Sequence, residues 1–275
     1  MGDEETTNGF VLNRHKVIRY LDHQWSETDD DIAVEYPLTI VVDGEEFATM
    51  VCTPTHLEEL VYGFLASEGL IRYANEVLSL SIDESRGYAY VVLKNKKTIN
   101  KDYYSKRFIG SCCGKSRQFY FKNDVRTART VMSRTQITVE QCFARMKEMQ
   151  EQSRDFLVSG GVHNAAMCTP EGLIIARTDI GRHNALDKIF GYCLQNRVKP
   201  SDKLIVFSGR ISSEVLLKAA KIGVGIVLSK SAPSTLALDL ADELGITTVG
   251  FIRGSSLNIY THPERIADTH NNTRS

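Results

Sequence analysis

The chain has 275 residues, 24% of them charged, and a formal net charge of -1. Such a composition fits a soluble globular protein with room for a real core, and it offers no global field for nucleic acid. The acidic start MGDEETTNGF has no basic region before an apolar run, and no apolar stretch approaches the ~20 residues that cross a bilayer, so neither a secretory signal nor a membrane is expected.

The first half reads as α+β. EYPLTIVVDGEEFATMVCT is two strands around Asp43-Gly44, a short-range hairpin signal. Thr55-His-Leu-Glu58 has the pattern of a capping box, and the helix after it puts Leu57, Leu60, Val61, Phe64 and Leu65 on one face. Gly69 is the natural stop. Strands are predicted over residues 77–82 and 88–93, joined through Arg86-Gly87. Residues 94–122 read as one long irregular segment. It carries Lys94, Lys96, Lys97, Lys101, Lys106, Arg107, Lys115, Arg117 and Lys122 against a single acid, Asp102. A segment of that length inside a compact protein is usually functional or disordered.

An N-terminal α+β domain is therefore expected over residues 1–130, with a C-terminal α/β domain over 131–275. The second domain opens with a helix at the capping box Thr138-Val-Glu-Gln141. FLVSGG and residues 165–167 look like strands, and residues 173–176 like another. DIGRHNALDKIFGYCL reads as a helix whose apolar face holds Ala185, Leu186, Ile189, Phe190, Cys193 and Leu194. Strand KLIVFSG, helix SSEVLLKAAKIG, strand GIVLS, helix PSTLALDLADELG and strand ITTVGFI complete the pattern. That alternation predicts parallel pairing with helices on the sheet faces.

In open α/β sheets ligands bind beyond the carboxyl ends of the strands. Three successive strands end in Ser208-Gly209-Arg210, in Ser229-Lys230-Ser231, and in Arg253-Gly254 followed by Asn258 and Tyr260. Three cations on one edge, beside helix starts near Ser212 and Ser234, suit a phosphate or pyrophosphate. Neither a G-x-G-x-x-G after a strand nor a complete G-x-x-x-x-G-K-[ST] phosphate loop is present. His163 and His183 stand next to glycines and are further candidates.

Six cysteines, at 52, 112, 113, 142, 168 and 193, do not form a disulfide framework, so a reducing cytoplasm is expected. Cys52, Cys142, Cys168 and Cys193 sit in apolar patterns and read as small core residues. Cys112 and Cys113 differ, because their neighbours in IGSCCGKSRQ are small, polar or basic. Adjacent Cα atoms lie ~3.8 Å apart, closer than ordinary disulfides prefer, so the pair is a poor staple. Structural zinc uses C-x₂₋₄-C with a second pair, and zinc deaminases need H-x-E, where this chain has His163-Asn164-Ala165, so no bound metal is expected. What remains is nucleophilic chemistry, with Lys115 and Arg117 favouring the thiolate.

GGVHNAAM, TDIGRHNALDKIFG, TPTHLEELVYGFLASEGL and the run from FSGRISSEV through IRGSSLNIYTHPERI resemble the formate dehydrogenase accessory sulfurtransferases, the FdhD/NarQ family, over about residues 35–266. The resemblance implies transfer of sulfur from a cysteine desulfurase to a molybdenum (or tungsten) cofactor carrying guanine dinucleotides, for use by formate dehydrogenase. It also implies a C-terminal domain similar to the cytidine deaminase core without its zinc, a smaller N-terminal domain, a homodimer, and a cofactor-binding stretch at Phe251, Ile252, Arg253, Gly254, Ser255 and Ser256. Many relatives carry C-G-x-C-G in the basic loop, whereas this chain has Cys112-Cys113-Gly114. If the glycine sets the register, Cys113 matches the second family cysteine and Gly110 stands in place of the first. Cys113 is then the favoured sulfur carrier and Cys112 the alternative. Two rival expectations are a cofactor chaperone with incidental thiols and a redox sensor using the adjacent pair.

Overall fold

A computed structural model describes residues 12–95, 107–109, 130–152 and 160–268. The segment bearing Cys112, Cys113, Lys115 and Arg117, and most of FLVSGG, lie outside the described residues; Gly160 and Gly161 fall outside any strand. The first element is one that the sequence reading omitted: a hairpin of β1 (Leu12–Leu21) and β2 (Gln24–Ala33), a two-stranded sheet of its own. Its tip residues Asp22 and His23 both have positive φ, as a two-residue hairpin loop demands.

The next sheet has the order β5-β6-β3-β4-β7, from β3 (Tyr36–Val42), β4 (Glu45–Cys52), β5 (Val77–Asp83), β6 (Tyr88–Leu93) and β7 (Arg107–Ile109). The Asp43-Gly44 turn forms as expected, with φ 51 and 88. The Asp43 carboxylate accepts from the Leu93 amide at 3.0 Å, which ties the turn to β6. β7 corrects the reading of residues 94–122 as wholly irregular, because its backbone pairs parallel with β4. Against this sheet packs α1 (Leu57–Ser67), burying Leu57, Leu60, Val61, Phe64 and Leu65. The capping box at Thr55 does not form. His56 takes the cap position with φ 51, and the Thr55 hydroxyl instead accepts from Lys188 Nζ. A buried ammonium must collect acceptors, and that demand outweighs the local cap.

The second sheet runs β13-β12-β11-β10-β8-β9, from β8 (His163–Cys168), β9 (Leu173–Asp179), β10 (Leu204–Phe207), β11 (Ile226–Ser229), β12 (Thr247–Arg253) and β13 (Ser256–Thr261). β10, β11 and β12 are parallel, but β8, β9 and β13 join antiparallel to their neighbours. The all-parallel expectation is thus corrected. The β8–β9 and β12–β13 links are too short for a crossover, so they can only be hairpins. Asn258 and Tyr260 accordingly lie on β13.

Side chains alternate across this sheet. Ala165, Met167, Ile205, Phe207 and Val227 face α3 (Arg182–Asn196), α4 (Ser213–Ile222) and α5 (Thr235–Leu244). Ala166, Cys168, Leu204, Val206 and Ile226 face α2 (Val139–Glu151). The result is three layers, helix, sheet and helix. At α2 the expected box is present: Thr138 Oγ1 accepts from the Gln141 amide, and Gln141 Oε1 accepts from the Thr138 amide.

α1 crosses α3 at backbone contact. A Cβ on Gly63 would lie 1.8 Å from the Asp187 carbonyl oxygen, and one on Gly191 would lie 1.8 Å from that of Glu59. Charged groups fill the rest of the seam. Lys188 and Asp179, both fully buried, pair at 2.7 Å. Asp187 accepts from Lys218 and from Ser67, while Arg177 forks onto Glu59 at 2.6 and 2.7 Å. The predicted apolar face of α3 is therefore incomplete, because the helix is buried on its charged side too.

Candidate functional site

Strand direction builds the site. β9, β10, β11 and β12 all end on one edge of the sheet, and β8 and β13 begin there. That rim gathers His163, Asp179, Ser208-Gly209-Arg210, Ser229-Lys230-Ser231 and the turn from Arg253 to Ser256. Three helices start on the same side, α3 after the cap Gly181, α4 after Ser212 and α5 after Ser234. The Ser212 and Ser234 hydroxyls accept from the amides of Val215 and Ala237. Each cap satisfies one donor of its helix start and leaves others directed outward.

Hydrogen bonds lace the rim loops together. The Asn164 amide donates to Ser208 Oγ at 2.9 Å, and the Ser208 amide returns to the Asn164 carbonyl. Ser229, fully buried, donates its hydroxyl to the Gly209 carbonyl at 2.7 Å and accepts from the Ser231 amide. Ser229 thus holds two loops and has no exposed surface for a ligand. Gly209 packs closely, since a Cβ there would stand 3.0 Å from the Phe207 ring and 3.3 Å from His163 Nδ1, so a larger residue would have to displace one of these side chains.

Arg210 is exposed and Lys230 half-exposed. Among the described residues neither has a carboxylate partner. Arg253 donates from Nε to the Lys230 carbonyl at 3.1 Å and lies over the Phe251 ring at 5.6 Å. Phe251 itself has φ 53 and is 37% exposed, inside a register shift between β12 and β13. A bulge that turns a bulky side chain outward at this cost re-aims it. Ile252 turns inward and is buried, whereas Gly254, Ser255 and Ser256 are exposed. Asn258 is exposed on β13, its amide 3.3 Å from the Tyr260 hydroxyl. An exposed aromatic face, three cations and free helix amides can hold a flat base and its phosphates.

His183 is held at the start of α3, its Nε2 2.9 Å from Glu214 Oε2 on α4. Burial lowers the pKa of both His183 and His163, and nearby Arg182 adds to the shift. Both rings are neutral near neutral pH. Glu214 and the Asp179–Lys188 pair went unread in the sequence. For Lys188 the signal was a charge inside the apolar helical run ALDK, and for Glu214 an acid in the first turn of SSEVLLKAAK.

Cys52, Cys142, Cys168 and Cys193 are free, buried thiols. Burial pushes Cys142, Cys168 and Cys193 up to about 12 and raises Cys52 as well. None of the four is a nucleophile at neutral pH. Among the described residues no cluster of metal-binding side chains is present, and no helix is long and apolar enough to cross a membrane.

The FdhD/NarQ family model matches residues 33–267. The protein named sulfur carrier protein FdhD in Halalkalibacterium halodurans is 64% identical over 262 residues, 94% of this chain and 97% of that one. Its namesake in Bacillus subtilis is 58% identical over 261 residues, 95% of this chain and 100% of that one. Among solved structures, a protein from Desulfotalea psychrophila described as a formate dehydrogenase accessory protein superimposes with a TM-score of 0.76 at 25% identity, covering 93% of this chain and 99% of that one.

Proposed function

Because the chain belongs to the FdhD/NarQ family, we propose that it is a sulfur carrier. It takes sulfane sulfur from a cysteine desulfurase and delivers it to a molybdenum (or tungsten) guanine dinucleotide cofactor destined for formate dehydrogenase. The names of its relatives support the sulfur-carrier role, and the rim supports docking of the cofactor. The observation that carries it is the set of cations Arg210, Lys230 and Arg253 on one rim, beside an outward-turned Phe251. Guanine stacks on the Phe251–Arg253 face, while the pyrophosphate meets the other cations and the starts of α4 and α5.

The carrier is Cys113, with Cys112 as the alternative. Its thiolate attacks the outer sulfur of the donor's persulfide. A new S–S bond forms, the donor's own S–S bond breaks, and the donor cysteine leaves as a thiolate. No net electrons move, so no outside oxidant is required. Lys115 and Arg117, close in sequence, favour the thiolate. Chain connectivity supports delivery to the rim. Ile109 on β7 stands opposite Met50, and three residues beyond Met50 the Thr53 amide donates to Asp179 at the rim. Cys112 is three residues beyond Ile109, a reach of at most ~11 Å.

Calorimetric titration with guanosine diphosphate tests the docking. Binding is expected, and Arg210→Ala or Arg253→Ala should each weaken it roughly tenfold or more, as loss of a charge-assisted bond does. Unchanged affinity in both variants would contradict the docking. A Cys112→Ala, Cys113→Ala double variant should fail to activate formate dehydrogenase. If it still did, the protein would be a cofactor chaperone rather than a carrier.

A further inference from the structure

The bulge between β12 and β13 decides what stands beside the Phe251 ring. Val249 and Ile252 both pack in the core cluster that faces α2. In a regular strand, residues three apart point to opposite faces. Gly250 and Phe251, which lie between them, therefore both turn to the other face. The register accounts for this. Phe251 and Ile252 separate Gly250 from Arg253, whereas Leu257 alone separates their partners Asn258 and Ser256. One extra residue on one strand makes a bulge, and Phe251, at φ 53, occupies it. Leu257 and Ile259 also pack toward α2, so Ser256, Asn258 and Tyr260 share the opposite face with Phe251 and Arg253.

Asn258 is exposed on that face, directly across from Gly250. Its Nδ2 donates to the Tyr260 hydroxyl at 3.3 Å. Tyr260 is itself held in place: a Cβ on Gly250 would stand 3.1 Å from its ring, so the ring lies against the glycine's backbone. Tyr260 thus sets which end of the amide turns inward, and Oδ1, an acceptor only, is presented outward. Neighbouring strands lie ~4.8 Å apart, so a flat base on Phe251 comes within reach of Oδ1. Phe251 cannot choose between bases, because every base has a π-face. Arg210, Lys230 and Arg253 meet phosphates that all nucleotides share. The Watson–Crick edge is what differs. Guanine offers two donors there, N1–H and the N2 amine, while adenine offers the N1 lone pair and a C–H. An outward acceptor pairs with the first and opposes the second. We propose that Asn258 selects guanine over adenine through Oδ1, with Tyr260 as its positioning residue, an inference that rests on the nucleotide docking described above.

Calorimetric titration of the full chain with guanosine, inosine and adenosine diphosphates reads this choice. Guanosine diphosphate should bind roughly tenfold or more tighter than adenosine diphosphate. Inosine diphosphate, which keeps N1–H but lacks the amine, should fall between them. Asn258 is exposed on the outermost strand of its sheet, so its substitutions leave the core intact. Asn258→Leu should cut the guanosine-to-adenosine preference roughly tenfold, by weakening the guanosine nucleotide alone. Asn258→Asp puts an acceptor at both ends of the side chain and should keep or raise the preference. Tyr260→Phe frees the amide to turn over, so the preference should fall severalfold. Adding Asn258→Asp to Tyr260→Phe should restore it, which a merely structural loss would not allow. Equal affinity for the guanosine and adenosine nucleotides, or a preference unchanged in Asn258→Leu, would overturn the inference and leave the docking standing. Failure of the unaltered protein to bind either nucleotide would overturn the docking and the inference with it.

Discussion

Phe251 holds a left-handed backbone, with φ 53, that costs a bulky residue roughly 1–2 kcal/mol. The residue is 37% exposed, so packing offsets that cost only in part. Asparagine tolerates this backbone. Phe251→Asn should therefore leave stability unchanged or raise it by up to about 1 kcal/mol, while guanine nucleotide affinity falls roughly tenfold with the lost stacking. Urea denaturation and calorimetry read the two effects separately, and a stability loss without an affinity loss would make Phe251 merely structural. The cysteines divide just as sharply. Burial pushes Cys142, Cys168 and Cys193 up to about 12 and also raises Cys52. Iodoacetamide at neutral pH should leave all four unmodified in the native protein. Mass spectrometry finding label on any of them would contradict their burial.

Between elements, the seam of α1 and α3 is closed by two glycines and by pairs of buried charges. Gly191→Ala drives a Cβ to 1.8 Å from a backbone carbonyl oxygen, so the helices must part. The expected loss is about 3 kcal/mol or more by urea denaturation. Lys188→Met strands the fully buried Asp179, which also receives the Thr53 amide at 3.1 Å, and should cost roughly 3–5 kcal/mol. A loss below 1 kcal/mol would mean that water or a rearranged partner satisfies Asp179. This seam is also where the sequence was least legible. The Asp43-Gly44 turn, most of the strands and the caps Thr138, Ser212 and Ser234 are local devices, and they could be read from neighbours in the chain, whereas the β1–β2 hairpin turns at Asp22-His23 without a glycine to announce it. The three rim cations were legible for the same reason, since each lies at its strand's end or within three residues of it. Lys188 and Asp179 find partners in Thr53 and Thr55, more than a hundred residues away. Periodicity registers such charges only as faults in an apolar face. The same distant demand took Thr55 from the capping box that its local pattern announced. Phe251 was legible as a residue but not as a conformation, because its bulge depends on the register of β13 against β12.

Across the whole molecule, pH acts through histidines whose pKa burial lowers: His56, to about 4, and His163 and His183 of the rim. Burial lowers the folded-state pKa of His163 and His183 below the ordinary value of about 6.5. Below that value the unfolded chain binds more protons than the folded one. Their contribution to stability is therefore full above about pH 6.5 and is lost as pH falls through the lowered folded pKa. Thermal denaturation should show the midpoint falling on acidification from pH 7, and a His163→Asn, His183→Asn double variant should flatten that slope. An unchanged slope would place the acid sensitivity elsewhere. On the proposed reading the chemistry belongs to the basic segment after β7, and the most direct measurement follows the sulfur itself. The protein is incubated with a cysteine desulfurase and cysteine labelled at sulfur, then digested and weighed. One added labelled sulfur atom is expected on the peptide containing Cys112 and Cys113, absent from Cys113→Ser and released on addition of the guanine dinucleotide cofactor. Label that never appears on that peptide, or that appears and stays when the cofactor arrives, would contradict the carrier role.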